Sequence, residues 1–225
     1  YSDFAVVTIT NGLAYERIAK LTHPTIKAYA EKIGADFVVI TENNCSSVHW
    51  EKFQIFNLLD LYSRILFVDS DVIIRSDCEN LFEIVPQEKI GLFNEAPFVE
   101  GRKESLRDIA IAYGRSVPEW DGFYGNTGVF VVSRCHKHLF RKPEREIFNF
   151  YEQSYLNLRI AETNTPVHKL SFRYNRMCCT DSATGEDRYG SKVLHMAGWQ
   201  NLGQTLGIIR GDLRRWEELK EQGYP

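Results

Sequence analysis

The chain carries little excess charge of either sign: 27 Lys+Arg against 30 Asp+Glu leave a formal net charge of -3. Recognition of nucleic acid relies on a basic face that neutralises phosphates, and no such excess is present, so no nucleic-acid partner is expected. No apolar run approaches the roughly 20 residues that span a bilayer. The opening YSDFAVVTIT also lacks the basic and apolar regions of a secretory leader. With no transmembrane segment in this stretch, the expected setting is cytoplasmic, or peripheral to the cytoplasmic membrane. A disulfide or zinc framework is missing as well. Cys45, Cys78, Cys135, Cys178 and Cys179 are odd in number, scattered, and form no CxxC pair. They read as free thiols in a reducing compartment, with the adjacent Cys178 and Cys179 alternatively a reactive surface loop. Internal repeats and low-complexity segments are absent too.

What remains is a chain of 225 residues, 44% hydrophobic and 13% aromatic, enough for one domain over residues 1–225 with a substantial core. Apolar runs predict strands at FAVVTI (4–9), ADFVVIT (35–41), RILFVD (64–69), KIGLFN (89–94), NTGVFVVS (126–133) and SKVLHM (191–196). Between the first two, a helical pattern is interrupted at Pro24 and resumes through TIKAYAEKIG. WEKFQIFNLLDLYSR (50–64) predicts a helix burying Phe53, Phe56, Leu59 and Leu61. Strands alternating with helices, and nearly continuous in Val, Ile, Leu and Phe, predict a single Rossmann-like α/β domain. Its central sheet is mostly parallel, with helices on both faces. Residues 98–123 are polar, aromatic and poorly periodic, and read either as an insertion shaping an acceptor pocket, with Trp120 and Tyr124 as sugar-stacking faces, or as a surface subdomain.

The chemistry concentrates in ILFVDSDVIIRSD (65–77), where Asp69 and Asp71 flank Ser70 at the end of an apolar run. Strand periodicity points both aspartates to one side. Two adjacent carboxylates repel, so they need a cation, a shared proton or solvent. In an open α/β sheet, ligands gather at the carboxyl ends of parallel strands. A same-facing pair there offers hard oxygen ligands to Mg²⁺ or Mn²⁺; the alternative is a strand end whose aspartates cap backbone N–H groups. His195, at the end of the strand in VLHMAG, is either a third ligand, favouring Mn²⁺, or a core histidine, and Gly198 three residues on would let backbone approach phosphates. Thr8, Thr10 and Asn11 lie at the carboxyl end of the first strand, where nucleosides dock, and Tyr15 could stack on a base. Turn chemistry explains Asn11-Gly12 equally well. Lys52 either reaches donor phosphates or is a solvated helix lysine.

FVDSD (67–71), FYGNTGVFVVS (123–133), YEQSYLN (151–157), LSFRYN (170–175) and LHMAGW (194–199) occur in an order that resembles the glycogenin-type, retaining GT-A glycosyltransferases of family 8. The resemblance covers nearly the whole chain. It implies transfer of a hexose from a nucleotide sugar, by family habit a UDP-sugar, to a glycan, glycolipid or glycoprotein. It implies Mn²⁺ held by Asp69, Asp71 and His195, and a donor site including Ser70 and the Asn126-Thr127-Gly128 segment. Glu152 and Gln153 would line the sugar, with the neutral amide of Gln153 beneath the anomeric carbon as a dipole rather than a nucleophile. Glu152 is alternatively a solvated helix charge. The sequence departs from the family at HMAGWQN, where Trp199, Gln200 and Asn201 stand in place of a phosphate-binding lysine, and at Ser154, which replaces a carboxylate. Two alternatives remain: a haloacid-dehalogenase-type phosphatase with Asp69 as nucleophile, or a catalytically silent sugar- or nucleotide-binding module.

Overall fold

A computed structural model describes residues 2–147, 152–198 and 201–223. Its main sheet holds β1 (Phe4–Ile9), β2 (Asp36–Ile40), β3 (Arg64–Val68), β5 (Ile90–Asn94), β6 (Gly125–Ser133) and β7 (Val167–Leu170) in the order β2-β1-β3-β6-β5-β7. β1 is parallel to β2 and β3, β7 is parallel to β5, and β6 alone runs antiparallel to its two neighbours. The strand period of two divides the residues between two cores. Ala5, Val7, Ile65, Phe67, Phe130 and Val132 pack on one face, beneath α2 (Ile55–Leu61), α4 (Arg102–Ala112) and α5 (Glu152–Glu162). Val6, Leu66, Val68, Val129 and Val131 face α1 (Leu13–Lys32) and α3 (Leu81–Ile84) on the other. The expected mostly parallel, doubly covered sheet is therefore observed.

Several local expectations are corrected. α1 runs without a break through Pro24. Proline removes one helical N–H, but Lys20, the residue that would have accepted it, is exposed, so water can satisfy its carbonyl. Thr22 and Thr25 also tie this stretch to the neighbouring chain: Thr22 donates to the Ser70 carbonyl at 2.6 Å, and the Ile74 N–H donates to the Thr25 hydroxyl at 3.1 Å. The helix expected over 50–64 is a 3₁₀ turn at Val48–Gln54 followed by α2, and Leu61 at its end is 72% exposed. Strand pairing also goes further than periodicity suggested. Val72–Ile74 forms β4, which pairs antiparallel with β8 (Val193–His195) in a separate two-stranded ribbon, so the SKVLHM strand does not join the main sheet. The segment 98–123 contains α4, and Tyr124 just beyond it is buried rather than a stacking face, its hydroxyl 2.5 Å from Ser154 Oγ. Trp120 is half-buried against the main core. Cys178 and Cys179 begin α6 (Cys178–Thr184) instead of forming a loop, and burial pushes the Cys179 thiol up to about 11, which argues against a reactive thiolate there.

α7 (Leu202–Glu221) closes a third core. Leu206, Ile209 and Trp216 pack with Ile18 of α1, Ile73 of β4 and Leu194 of β8. Among the described residues, no helix is long and apolar enough to cross a membrane.

Candidate active site

Asp69 and Asp71 do not lie on a strand. β3 ends at Val68, the chain turns through 69–71, and β4 begins at Val72. Their convergence follows from where this turn is tethered, not from a period of two. The Asp69 N–H donates to the Gly128 carbonyl on β6 at 2.8 Å, and the Asp71 carbonyl accepts from the Met196 N–H, next to His195, at 3.1 Å. His195 Nε2 stands 3.7 Å from an Asp69 oxygen and 3.4 Å from an Asp71 oxygen. One ligand atom from each of the three residues lies within 4.8 Å of the others, which makes them a candidate metal site.

The electrostatics around this cluster suit a divalent cation. Lys52 is buried, and its ammonium meets Asp69 at 3.0 Å, Glu152 at 2.7 Å and the Thr127 carbonyl at 3.1 Å. Despite burial, these carboxylates hold the Lys52 ammonium above its ordinary range, and Lys52 holds Glu152 below it. Burial raises the Asp69 carboxyl, with Lys52 opposing and Asp71 adding to the shift. Burial also works against Asp71, but the protonated ring of His195, which Asp71 and Asp69 hold above its ordinary range despite burial, keeps Asp71 below the usual one. Three carboxylates facing one lysine leave the site electronegative, and two carboxylate oxygens with one imidazole form a donor set that fits Mn²⁺ or Mg²⁺.

The β5–β6 pairing shifts register at this point. Leu92 pairs with Phe130, yet the next residue, Phe93, pairs with Asn126, so residues 127–129 bulge away from β5. The bulge carries Thr127 and Gly128 toward the cluster. Thr127 donates its hydroxyl to Glu152 at 2.9 Å and its N–H to Gln153 Oε1 at 3.0 Å. Gln153 Nε2 in turn donates to Glu95 at 2.7 Å, so both ends of the amide are fixed. Glu152 and Lys52 are thus neither solvated nor free.

The remaining sequence candidates are more dispersed. Ile9, Tyr15, Val48, His49, Lys52, Asp69, Ser70 and Asp71 line one cleft. Thr8 is fully buried and Ile9 lines the cleft beside it; Thr10 bonds His23, and Asn11 bonds the Glu42 carbonyl. Gly198 adopts φ 83°, and a β-carbon placed on it would meet nothing within 4 Å, so its glycine serves the backbone bend. Trp199 and Gln200 lie outside the described residues, while Asn201 caps α7 through its side chain. Sequence reasoning missed His49, Glu95, Arg102 and Asn175. Glu95, directly after a strand of the main sheet, carried a positional signal, and Asn175 closes the LSFRYN motif without having been singled out in it.

No protein-family model and no curated protein sequence matches the chain. Solved structures do. A glycosyltransferase involved in the glycosylation of the major capsid of PBCV-1 aligns with a TM-score of 0.60 and 13% identity, over 92% of this chain and 99% of that one. Mouse xyloside xylosyltransferase 1 gives 0.53 at 13% identity, over 87% and 98%. The galactosyltransferase LgtC, solved with donor and acceptor sugar analogues, gives 0.51 at 16% identity, over 92% and 95%. This chain has the GT-A fold. Within that GT-A fold the candidate metal site occupies the point where β3 leaves the main sheet, beside the antiparallel β6. At such low identity the likeness speaks for the fold, and the roles of individual residues rest on the geometry above.

Proposed function

We propose that this protein is a metal-dependent, retaining glycosyltransferase of the family 8 type. It would move a hexose from a nucleoside-diphosphate sugar, most simply a UDP-sugar, to a glycan, glycolipid or glycoprotein acceptor. The observation that carries this reading is the convergence of Asp69, Asp71 and His195 beside a main-sheet strand end in a GT-A fold. These three residues would hold Mn²⁺, or Mg²⁺ in its place, which when bound supplies Lewis-acid stabilisation to a departing diphosphate. Tyr15, with Thr10 and Asn11 near the rim, is assigned to the nucleoside; Ser70, Gly128 and Gly198 to the diphosphate; Asn126, Thr127 and Glu152 to the sugar. The acceptor hydroxyl attacks the anomeric carbon on the face the leaving group departs from. The bond to the phosphate oxygen breaks, that oxygen takes the hydroxyl proton, and the configuration is retained. Gln153 offers a neutral carbonyl dipole whose orientation is already set by Thr127 and Glu95, suited to the positive charge that develops on the sugar. The segment 98–123 is assigned to the acceptor side. Five free cysteines favour a reducing, cytoplasmic setting.

The test is a screen of nucleotide sugars with Mn²⁺, scoring release of free nucleoside diphosphate without acceptor, followed by NMR of the product's anomeric centre. Release with one donor, abolished by chelator, is expected. Full activity in excess chelator overturns the metal dependence, and an inverted product overturns retention.

A further inference from the structure

We infer that Glu95 and Asn175 are positioning residues that set which nitrogen of His195 faces the metal site, through a hydrogen-bonded chain that begins at a carboxylate and can run in one direction only. The inference rests on the metal reading of Asp69, Asp71 and His195.

Glu95 is 2% exposed and accepts from three donors: Arg102 at 2.6 Å, Gln153 Nε2 at 2.7 Å and Asn126 Nδ2 at 2.8 Å. A carboxylate so placed has no proton to give, so the amide of Asn126 must turn its nitrogen to it. Asn126 Oδ1 is thereby aimed the other way, where it accepts from the Gly128 N–H at 2.9 Å and from Asn175 Nδ2 at 2.9 Å. Asn175, fully buried, then has only its Oδ1 to offer His195 Nδ1, 2.8 Å away. Nδ1 must carry a proton, and Nε2 is the ring nitrogen turned toward Asp69 and Asp71. Every amide orientation follows from the one before it, and the first is fixed at its nitrogen by the Glu95 charge and at its oxygen by the Gly128 N–H. Metal-bound histidines commonly donate their second ring N–H to an oxygen that sets tautomer and ring orientation. Here that oxygen belongs to Asn175, and its direction is inherited from Glu95 two residues up the chain of bonds. The same carboxylate holds Gln153, so one buried group orients both the metal histidine and the amide assigned to the sugar.

The experiment measures Mn²⁺ affinity by calorimetry in wild type, Glu95→Gln and Asn175→Leu, with melting temperature as a folding control. A ¹⁵N-resolved NMR spectrum of the His195 ring is recorded on wild type loaded with Cd²⁺, a diamagnetic ion. In Glu95→Gln the new amide keeps its oxygen toward Arg102 and Gln153 and presents N–H₂ to Asn126, which opposes the native direction of the chain. Both variants are expected to bind Mn²⁺ about 10-fold to 100-fold more weakly, and wild-type His195 is expected to show a slowly exchanging Nδ1 proton. If wild type binds no Mn²⁺, the metal reading itself fails. If wild type binds and folded variants match it within about twofold, or if the wild-type spectrum shows Nδ1 without a proton, the relay is overturned while the metal site stands. The NMR measurement decides the question even where a variant does not fold.

Discussion

The ring of His195 packs against Gly128 so closely that a β-carbon on Gly128 would stand 2.0 Å from Cε1, 2.7 Å from Nδ1 and 2.8 Å from Nε2. The imidazole cannot retreat without giving up Asn175, 2.8 Å from Nδ1. Glycine is needed here for space. Gly128→Ala is expected to displace His195, to cost about 1–3 kcal/mol through overpacking, and to weaken Mn²⁺ binding. Melting temperature and calorimetry check both parts, and wild-type Mn²⁺ affinity in the variant would contradict the assignment of His195 as a ligand.

Lys52 holds Glu152 and Asp69 together beneath the site. Removing one partner of a buried ion pair leaves a charge without compensation and costs about 3–5 kcal/mol, so Lys52→Met is expected to melt well below wild type. In the double variant Lys52→Met/Glu152→Gln part of that loss should return, because Glu152 is the more deeply buried of the two carboxylates that Lys52 pairs, and only Asp69 is then left without it. A double variant no more stable than the single one would show that Lys52 acts through packing instead.

At Gln153 the expected effect is on rate. If its carbonyl dipole serves the developing charge alone, Gln153→Ala lowers turnover by about 10²-fold to 10³-fold with little change in donor affinity. Calorimetry of donor binding alongside nucleotide-release kinetics separates the two. An unchanged turnover removes Gln153 from the mechanism.

His136 gives a pH dependence that is independent of the site. Its Nδ1 accepts the Ser133 N–H at 3.0 Å, which leaves the proton on Nε2, 3.2 Å from the Glu88 carbonyl. Burial holds its pKa below the ordinary 6.5. Because the folded value is depressed, the contribution to stability is fully present above 6.5 and is lost as pH falls through the folded pKa. Wild type should therefore lose stability relative to His136→Asn as pH falls below about 6.5. Parallel melting curves across that range would contradict the neutral, buried histidine.

Much of the main sheet was readable because fully buried strands leave long apolar runs, as in Ile65–Val68 and Val129–Val132. β4 was not, since three residues of a ribbon have too little length for a period. Pro24 misled because propensity counts the lost N–H and cannot see the threonine bonds that hold the helix across it. Among the site residues, Asp69, Asp71 and His195 stood out by type and order. Glu95 and Asn175 did not, because each is joined to Asn126, and a partner brought from 31 or 49 residues away leaves no local spacing to read.

The turn from the main sheet to the β4–β8 ribbon divides the tethers of the cluster, because Asp69 is bonded to β6 and Asp71 to Met196 just beyond β8. His195 ends β8, and the ribbon that carries it packs through Val72 and Val193 on the main-sheet core and through Ile73 and Leu194 on the α7 layer. In the metal reading, a cation shared by Asp69, Asp71 and His195 would join the ribbon to β6, and its binding would add to the stability of that packing. Ser70 lies between the two tethers, and the 2.6 Å bond from Thr22 to its carbonyl makes α1 a brace for the turn on which the meeting of the two aspartates depends.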